Sequence, residues 1–305
     1  MVACCLLLVA VVSGCGRVPK TADLVGEPPA AEAVTLDPNA TQQMSEFTLT
    51  GYEEDGSKRW QLNGQGASVD GNIVTIHHPD AIGFDPTRKA YLTASAAQVE
   101  QDTRHIRMEH DVTIHTSDGL WFTAPILYWV PDRNQVATDT AVRLETDHML
   151  LRAYGLEGST ELKRAVFLRD IEMVLNPSDH DRPSAKGAKQ VTITCDGPLA
   201  FDYERQIATF EQNVHVQDPN GDLYSDKLVA YLDEQTHTIR YAEAIGRVRI
   251  HQSQNTALSE RAVYEPAAGK ITLVGRPSLL VYPSSPGGTD AQLSFGGLAA
   301  DKPAN

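Results

Sequence analysis

One strand-turn-strand phrase recurs at least three times in this chain, and it limits the possible folds more than any other feature. The first copy has Val-Thr-Ile-His at residues 112–115, followed by a turn and a second apolar segment at residues 119–124. The phrase returns as Val-His-Val-Gln at residues 214–217 and as Val-Arg-Ile-His at residues 248–251. The second and third copies start 34 residues apart, and the first and second start 102 residues apart, which is three times 34. A fixed spacing of this size indicates stacked copies of one small structural unit.

The alternation of apolar and polar residues predicts an all-β protein. From residue 47 onward apolar residues fall two apart with a polar residue between them, as at residues 74–76, 142–144 and 171–173. This period places one face of each strand inward and the other outward. Short Gly- and Asp-containing segments between the runs are typical of hairpin turns. We find no amphipathic helix of 12 or more residues in this part of the chain.

Composition divides the chain into segments. Residues 15–45 are rich in Pro, Ala and Glu and predict a flexible tether, and residues 177–190 contain two prolines and predict a linker. These segments separate two predicted β modules, at residues 46–176 and 191–283. The tail at residues 284–305 is rich in Ser, Gly and Pro and is predicted to be disordered. Because the 34-residue spacing carries across the linker, we expect the two modules to be stacked.

The first 14 residues are almost wholly apolar and predict a signal peptide, since the run is too short to span a bilayer. Small residues before Cys15 resemble the lipobox of bacterial lipoproteins, although no Lys or Arg precedes the run. Cys15 would then carry the lipid anchor. Plain secretion and an uncleaved anchor remain alternatives, and the choice between inner and outer membrane stays open. With Cys4 and Cys5 removed and Cys15 acylated, Cys195 would remain as a buried, apolar thiol.

The chain carries none of the signatures expected of a nucleic-acid-binding protein or an enzyme. Its formal net charge is −14, which argues against a nucleic-acid partner and against docking on anionic lipid. A P-loop, a G-x-S-x-G elbow and a defensible pair of catalytic carboxylates are missing from the sequence. We therefore expect no catalytic residues, no cofactor and no metal ion.

Two residue types leave alternatives open. The histidines are not accompanied by Cys-x-x-Cys or His-x-His spacing, so surface positions are favoured over metal ligation for His77, His78, His105, His110, His115 and His180. The odd spacing of His110 and His115 places them on opposite faces of a strand. The tryptophans could stack on sugars, or could pack in the core and anchor strand ends: Trp60, Trp121 and Trp129.

Several motifs resemble the OstA-like module of the lipopolysaccharide transport bridge, the family of LptC, LptA and the LptD N-terminal domain. The phrase Leu-Tyr-Ser-Asp-Lys-Leu-Val-Ala-Tyr-Leu at residues 223–232, with residues 213–216 and 246–250, resembles the LptA type. Residues 47–52 and 56–62, which follow the tether, resemble LptC. LptC proper keeps an uncleaved transmembrane anchor, whereas a lipobox replaces it here.

The resemblance implies a twisted, open β-jellyroll of two stacked modules, with two sheets forming a V-shaped trough. The trough would hold the acyl chains of lipopolysaccharide or a related glycolipid in the periplasm and pass them between membranes. Its partners would be other Lpt-type β-jellyroll proteins and an inner-membrane ABC transporter. The edges expected to dock these modules are residues 47–50 and 278–282, although Pro277 and Pro283 could equally blunt the second edge.

Ten alternating apolar residues are the candidates for the trough lining: Val74, Ile76, Val112, Ile114, Val142, Leu144, Val214, Val216, Val248 and Ile250. The alternative is that these residues fill a closed sandwich core. The chain would then be a structural or scaffolding envelope lipoprotein that binds no lipid. A carbohydrate-active β-helix enzyme is a third possibility, which would require a clustered pair of acids.

Overall fold

The computed structural model describes residues 42–52, 55–84, 89–130, 133, 135–159, 164–175, 190–233 and 239–281. Within these ranges the chain forms nineteen β-strands, all paired antiparallel in one sheet, and a 3-10 turn at Pro266–Ala268. None of the described helices is long and apolar enough to cross a membrane. The predicted signal peptide, Cys15, the tail from residue 284 and all but the last residue of the linker lie outside the described residues.

The strands are numbered in chain order. The first eleven are β1 Gln42–Tyr52, β2 Lys58–Asp70, β3 Ile73–His77, β4 Asp80–Phe84, β5 Lys89–Thr93, β6 Ala96–Glu100, β7 Ile106–Thr116, β8 Trp121–Val130, β9 Gln135–Glu145, β10 Met149–Ser159 and β11 Arg164–Leu175. The other eight are β12 Val191–Cys195, β13 Leu199–Asp202, β14 Ile207–Asp218, β15 Gly221–Leu232, β16 Ile239–Gln252, β17 Asn255–Glu265, β18 Lys270–Val274 and β19 Ser278–Leu280.

The strands are stacked in fifteen layers within the described residues. Eleven long strands each span the full width of the stack. The eight short strands share layers in pairs: β3 with β4, β5 with β6, β12 with β13, and β18 with β19, each pair facing the two halves of a neighbouring long strand. With neighbouring strands about 4.8 Å apart, fifteen layers extend for about 67 Å.

A bend in the middle of each layer folds the sheet into two arms. Most long strands shift register at this point. The left-handed residues of the bend include His110 and Asp111 in β7, Gln212 and Asn213 in β14, Gly246 and Arg247 in β16, Gly155 in β10 and Asp170 in β11. Arm A contains β3, β6, β13 and β18, arm B contains β4, β5, β12 and β19, and each long strand contributes one half to each arm. The two arms are the two sheets of the predicted β-jellyroll.

The bend corrects the prediction for two histidines. His110 lies in the bend itself, where it and Asp111 interrupt the strand with two consecutive residues of positive φ. His115 lies beyond the bend on the outward face of arm B, stacked on Tyr91 and Trp121. The odd spacing of the two histidines therefore does not assign them to opposite faces of one strand, because His110 is part of the bend and lies outside the paired register.

The recurring phrase corresponds to two layers of the stack. Its three copies start in β7, β14 and β16, each followed by the hairpin partner β8, β15 or β17. The 34-residue spacing corresponds to one hairpin, which forms two layers of the stack. The 102-residue spacing corresponds to six layers. β11 pairs with both β12 and β13, so the stack is continuous across the predicted linker. The all-β, stacked jellyroll predicted from the sequence is confirmed.

One boundary differs from the prediction. β1 begins at Gln42, inside the segment predicted as a tether, and residues 42–45 pair with residues 66–69 of β2. These four residues are exposed because β1 is the outermost strand in the described part of the chain. A strand end without a buried face needs no apolar alternation, so the sequence pattern did not reveal it.

Candidate functional site

The inner face of arm B carries an apolar side chain in every layer. Cross-strand pairing aligns these side chains in one line, which we call the arm-B row. Its members are Leu49, Leu62, Ala81, Leu92, Ile114, Phe122, Leu144, Leu151, Met173, Ile193, Val216, Leu223, Ile250, Ala257 and Leu279. The row crosses both predicted modules without a polar residue.

Arm A carries a matching line of side chains, the arm-A row, on the face toward arm B. Its members are Met44, Ala67, Ile76, Ala97, Met108, Leu127, Thr138, Leu156, Phe167, Leu199, Phe210, Leu228, Ala244, Ala262 and Leu273. Thr138 is its one polar member, and its hydroxyl lies 2.8 Å from that of Thr140, which meets the hydrogen-bonding requirement of a buried group.

All ten predicted lining residues lie on the faces that the arms turn toward each other. Val74 and Ile76 belong to arm A, and the other eight belong to arm B. Eight are buried in one core, while Val74 and Leu144 are half-buried against it. Contact between these residues and a lipid stays a prediction.

The inner faces pack closely on each other in this structure. Val112, Leu151, Val191, Leu199 and Ile250 are completely buried. An apolar cavity between the arms lies in the second module, where its volume open to the centre of a water molecule is about 40 Å³. Its lining includes Val216 and Leu223 of arm B and Leu228 and Tyr264 of arm A. That volume holds a few water-sized spheres at most, so an acyl chain can enter only if the arms separate.

The rims of the two arms come together beside this cavity. Burial raises the pKa of Tyr264 in arm A, and the negative charge of Asp218 in arm B adds to the increase. Asp218 is itself buried and accepts hydrogen bonds from the backbone and side-chain nitrogens of Asn220, at 2.7 and 2.8 Å. Of these polar residues, Tyr264 also lines the cavity.

Cys195 is buried next to the bend of the layer shared by β12 and β13, as the sequence predicted. Burial raises the pKa of its thiol to about 11, because the thiolate is poorly solvated there. A thiol that remains protonated at neutral pH is a poor nucleophile, so the residue contributes packing rather than chemistry.

The described histidines do not form a site with enough ligands for a metal ion. Among the described residues, no group of three His, Cys, Asp or Glu side chains is arranged to hold a metal ion. His180 lies outside the described ranges. His215 instead forms a hydrogen bond with Asp222, with Nε2 and Oδ1 2.8 Å apart, and its ring stacks on Tyr224.

Both ends of the stack expose apolar residues and unpaired strand edges. Within the described residues β1 pairs with β2 alone, and β18 and β19 pair with β17 alone. The arm-B row ends at Leu49 and Leu279, which are 38% and 55% exposed. The predicted docking edges lie at these ends, although Tyr282 is outside the described residues. Exposed apolar edges of this kind are normally suppressed in monomeric proteins.

Most of the inward-facing residues of arm A were not among the residues predicted from the sequence. Phe167, Leu199 and Phe210 are among the largest fully buried side chains, yet none was a candidate. The recurring Val-x-Val/Ile phrase marks the arm-B half of each strand, whereas the arm-A halves carry Ala, Phe and Leu in less regular order. Continuing the alternation across the bend would have found Phe210, which has the same parity as Val214. It would not have found Leu156, because the alternation shifts by one residue at Gly155.

Two family models match the chain, one on each side of the predicted linker. Residues 6–176 match the model described as lipopolysaccharide-assembly, LptC-related. Residues 197–286 match the model described as LptA/(LptD N-terminal domain) LPS transport protein. A search of the curated proteins found no match.

Proposed function

Because this chain belongs to the LptC-related family of lipopolysaccharide-assembly proteins, we propose that it holds the acyl chains of lipopolysaccharide between arms A and B and passes them along the stack. Membership of this family, together with the LptA-type match in the second half, makes the chain a component of the periplasmic lipopolysaccharide transport bridge. Both matched families are transport proteins rather than enzymes.

The observation that carries this proposal is the pair of apolar rows. Each row presents one side chain per layer, and in twenty-nine of the thirty positions that side chain is apolar. A closed core does not require the apolar rows to continue to the exposed ends of the stack. A path along which acyl chains slide does require this. Each buried CH₂ of an acyl chain contributes about 0.8 kcal/mol, so binding needs no pattern of hydrogen bonds.

Transport in this scheme requires the arms to separate at their rims. Without a ligand, the inner faces of the two arms pack on each other. When lipopolysaccharide is bound, the same faces would pack on its acyl chains. The apolar surface then stays covered in both states, which keeps the difference in free energy between them small. The cavity between Leu223 and Tyr264 is one place where the arms leave space.

The ends of the stack would dock neighbouring modules by strand addition. β1 and β19 offer unpaired backbone groups, and the exposed Leu49 and Leu279 would continue the arm-B row into the next module. We place other Lpt-type β-jellyroll proteins at these ends and the inner-membrane ABC transporter at the start of the path. An acylated Cys15 would hold the chain at a membrane in the periplasm.

Lipid recovered with the purified protein tests the proposal. We expect the detergent-free protein to carry lipopolysaccharide, and Leu223→Asp to reduce the recovered amount about tenfold or more, because a carboxylate in the cavity is poorly solvated. Gln217→Asp places the same group on the exposed outer face of the neighbouring strand and should not change the yield. Native mass spectrometry measures the bound lipid, and circular dichroism confirms that both variants are folded.

The absence of lipid from the wild-type protein, or equal yields from both variants, would contradict the proposal. A structural or scaffolding envelope protein with a closed core would then be the better explanation, in agreement with the small volume of the cavity.

A further inference from the structure

Three aromatic rings form a continuous stack on the outward face of arm B. Tyr91, His115 and Trp121 occupy directly opposed positions on β5, β7 and β8. The ring centroids of Tyr91 and His115 are 4.6 Å apart with planes inclined by 8°, and those of His115 and Trp121 are 4.7 Å apart with planes inclined by 15°. The stack holds the indole upright on the sheet, with one ring face against His115.

The other side of Trp121 borders a surface cleft of about 200 Å³. The cleft is lined by Trp121, Thr123, Arg143 and Glu145, which are two adjacent cross-strand pairs of β8 and β9. Trp121 opposes Glu145, and Thr123 opposes Arg143. Although Trp121 is supported from one side by two rings, it is 47% exposed.

In a second aromatic stack on the same outward face, an arginine side chain covers the free face of the last ring. His215 and Tyr224 stack with centroids 4.3 Å apart, and the guanidinium of Arg249 covers Tyr224 at 4.5 Å. At the first stack Arg143 donates instead to Glu145, with Nη2 and Oε2 2.8 Å apart. The arginine that could have covered the indole is therefore held at the side of the cleft.

We propose that this cleft binds one pyranose ring of a glycan, with the sugar stacked on Trp121. The apolar C–H face of a pyranose matches the flat face of an indole, which is fixed here before binding. Glu145 would accept hydrogen bonds from sugar hydroxyls, Arg143 would donate them, and the Thr123 hydroxyl can do either. The cleft is smaller than the roughly 300–1,000 Å³ typical of sites for drug-sized ligands, which suits a single ring.

The site lies on the outer surface of arm B, on the opposite side of the sheet from the apolar rows. Trp121 and Phe122 are successive residues, and Phe122 belongs to the arm-B row. Glycan binding would therefore operate on the water-exposed face, whether or not lipid lies between the arms. Failure of one proposal leaves the other standing.

Two sources could supply such a ring, and the experiment separates them. The probes are the lipid-free core oligosaccharide of lipopolysaccharide and the N-acetylglucosamine–N-acetylmuramic acid disaccharide of peptidoglycan. Binding to the full chain is measured by saturation-transfer NMR on each sugar. Wild-type tryptophan fluorescence gives an independent readout, since Trp60 and Trp129 are buried and Trp121 is the exposed indole.

We expect at least one probe to bind with a dissociation constant on the order of 1 mM, as befits a single ring with few contacts. Trp121→Ala should weaken binding tenfold or more, and Glu145→Gln should weaken it several-fold while keeping the aromatic stack. Tyr128→Ala is the matched control, because Tyr128 is an exposed aromatic residue on the same strand but in arm A. Failure of both probes to bind, or equal binding by Trp121→Ala and wild type, would overturn the proposal.

Discussion

Replacement of Phe210 by alanine is expected to lower the free energy of unfolding by about 3–5 kcal/mol. Phe210 is 1% exposed and lies in the arm-A row between Leu199 and Leu228. Removing its ring leaves a cavity between two packed arms, and the rigid strands on either side can fill that cavity only in part. Chemical denaturation of the lipid-free protein, followed by circular dichroism, measures the change.

The control for this experiment is Thr209→Ala, one residue away on the outward face of the same strand. We expect it to change stability by less than about 0.5 kcal/mol. Equal effects of the two substitutions would mean that the inner face of arm A is already solvated without lipid, which contradicts the packed arms described above.

Replacement of Gly197 by alanine is expected to lower the free energy of unfolding by about 3 kcal/mol or more. Gly197 lies at the bend between β12 and β13 with φ of +109°, a conformation that costs a residue with a side chain roughly 1–3 kcal/mol. An added Cβ would also lie 2.8 Å from the Cα of Arg169 and still closer to the carbonyl oxygen of Leu168. Because these are backbone atoms of the adjacent β11, the neighbouring layer would have to shift.

Gly71 provides a matched control, since it too has a positive φ, of +54°, but an added Cβ there would meet nothing within 4 Å. Gly71→Ala should lower the free energy of unfolding by about 1–2 kcal/mol, because alanine must adopt the left-handed backbone conformation there. A loss at Gly197 no larger than the loss at Gly71 would show that the layers are not closely packed at the bend. Thermal denaturation of both variants measures the difference.

The sequence was sufficient to predict the strands and their stacking, because both depend on local patterns. The Val-x-Val/Ile phrase and its 34-residue spacing correspond to hairpins that start at β7, β14 and β16. Outward and inward residues within one half of a strand were also separable, as for Val216 and Gln217. These features require only period-two alternation and turn residues.

The second arm could not be predicted in the same way. The bend shifts the alternation in some strands but not in others. In β10 it shifts at Gly155, a residue of positive φ, so that Leu151 and Leu156 face the same core from different arms although their positions differ by an odd number. The extent of contact between the arms also depends on side-chain volumes across the stack. Residues far apart in sequence, such as Val216 and Tyr264, line the same cavity, which no local pattern records.

Photo-crosslinking in growing cells tests whether the acyl chains of lipopolysaccharide lie between arms A and B. A small diazirine-bearing amino acid would replace Leu223, which is half-buried in the cavity lining, or Gln217, which is exposed on the outer face of the neighbouring strand. We expect a lipopolysaccharide adduct from position 223 and none from position 217. Equal adducts from both positions, or only protein adducts from position 223, would contradict it.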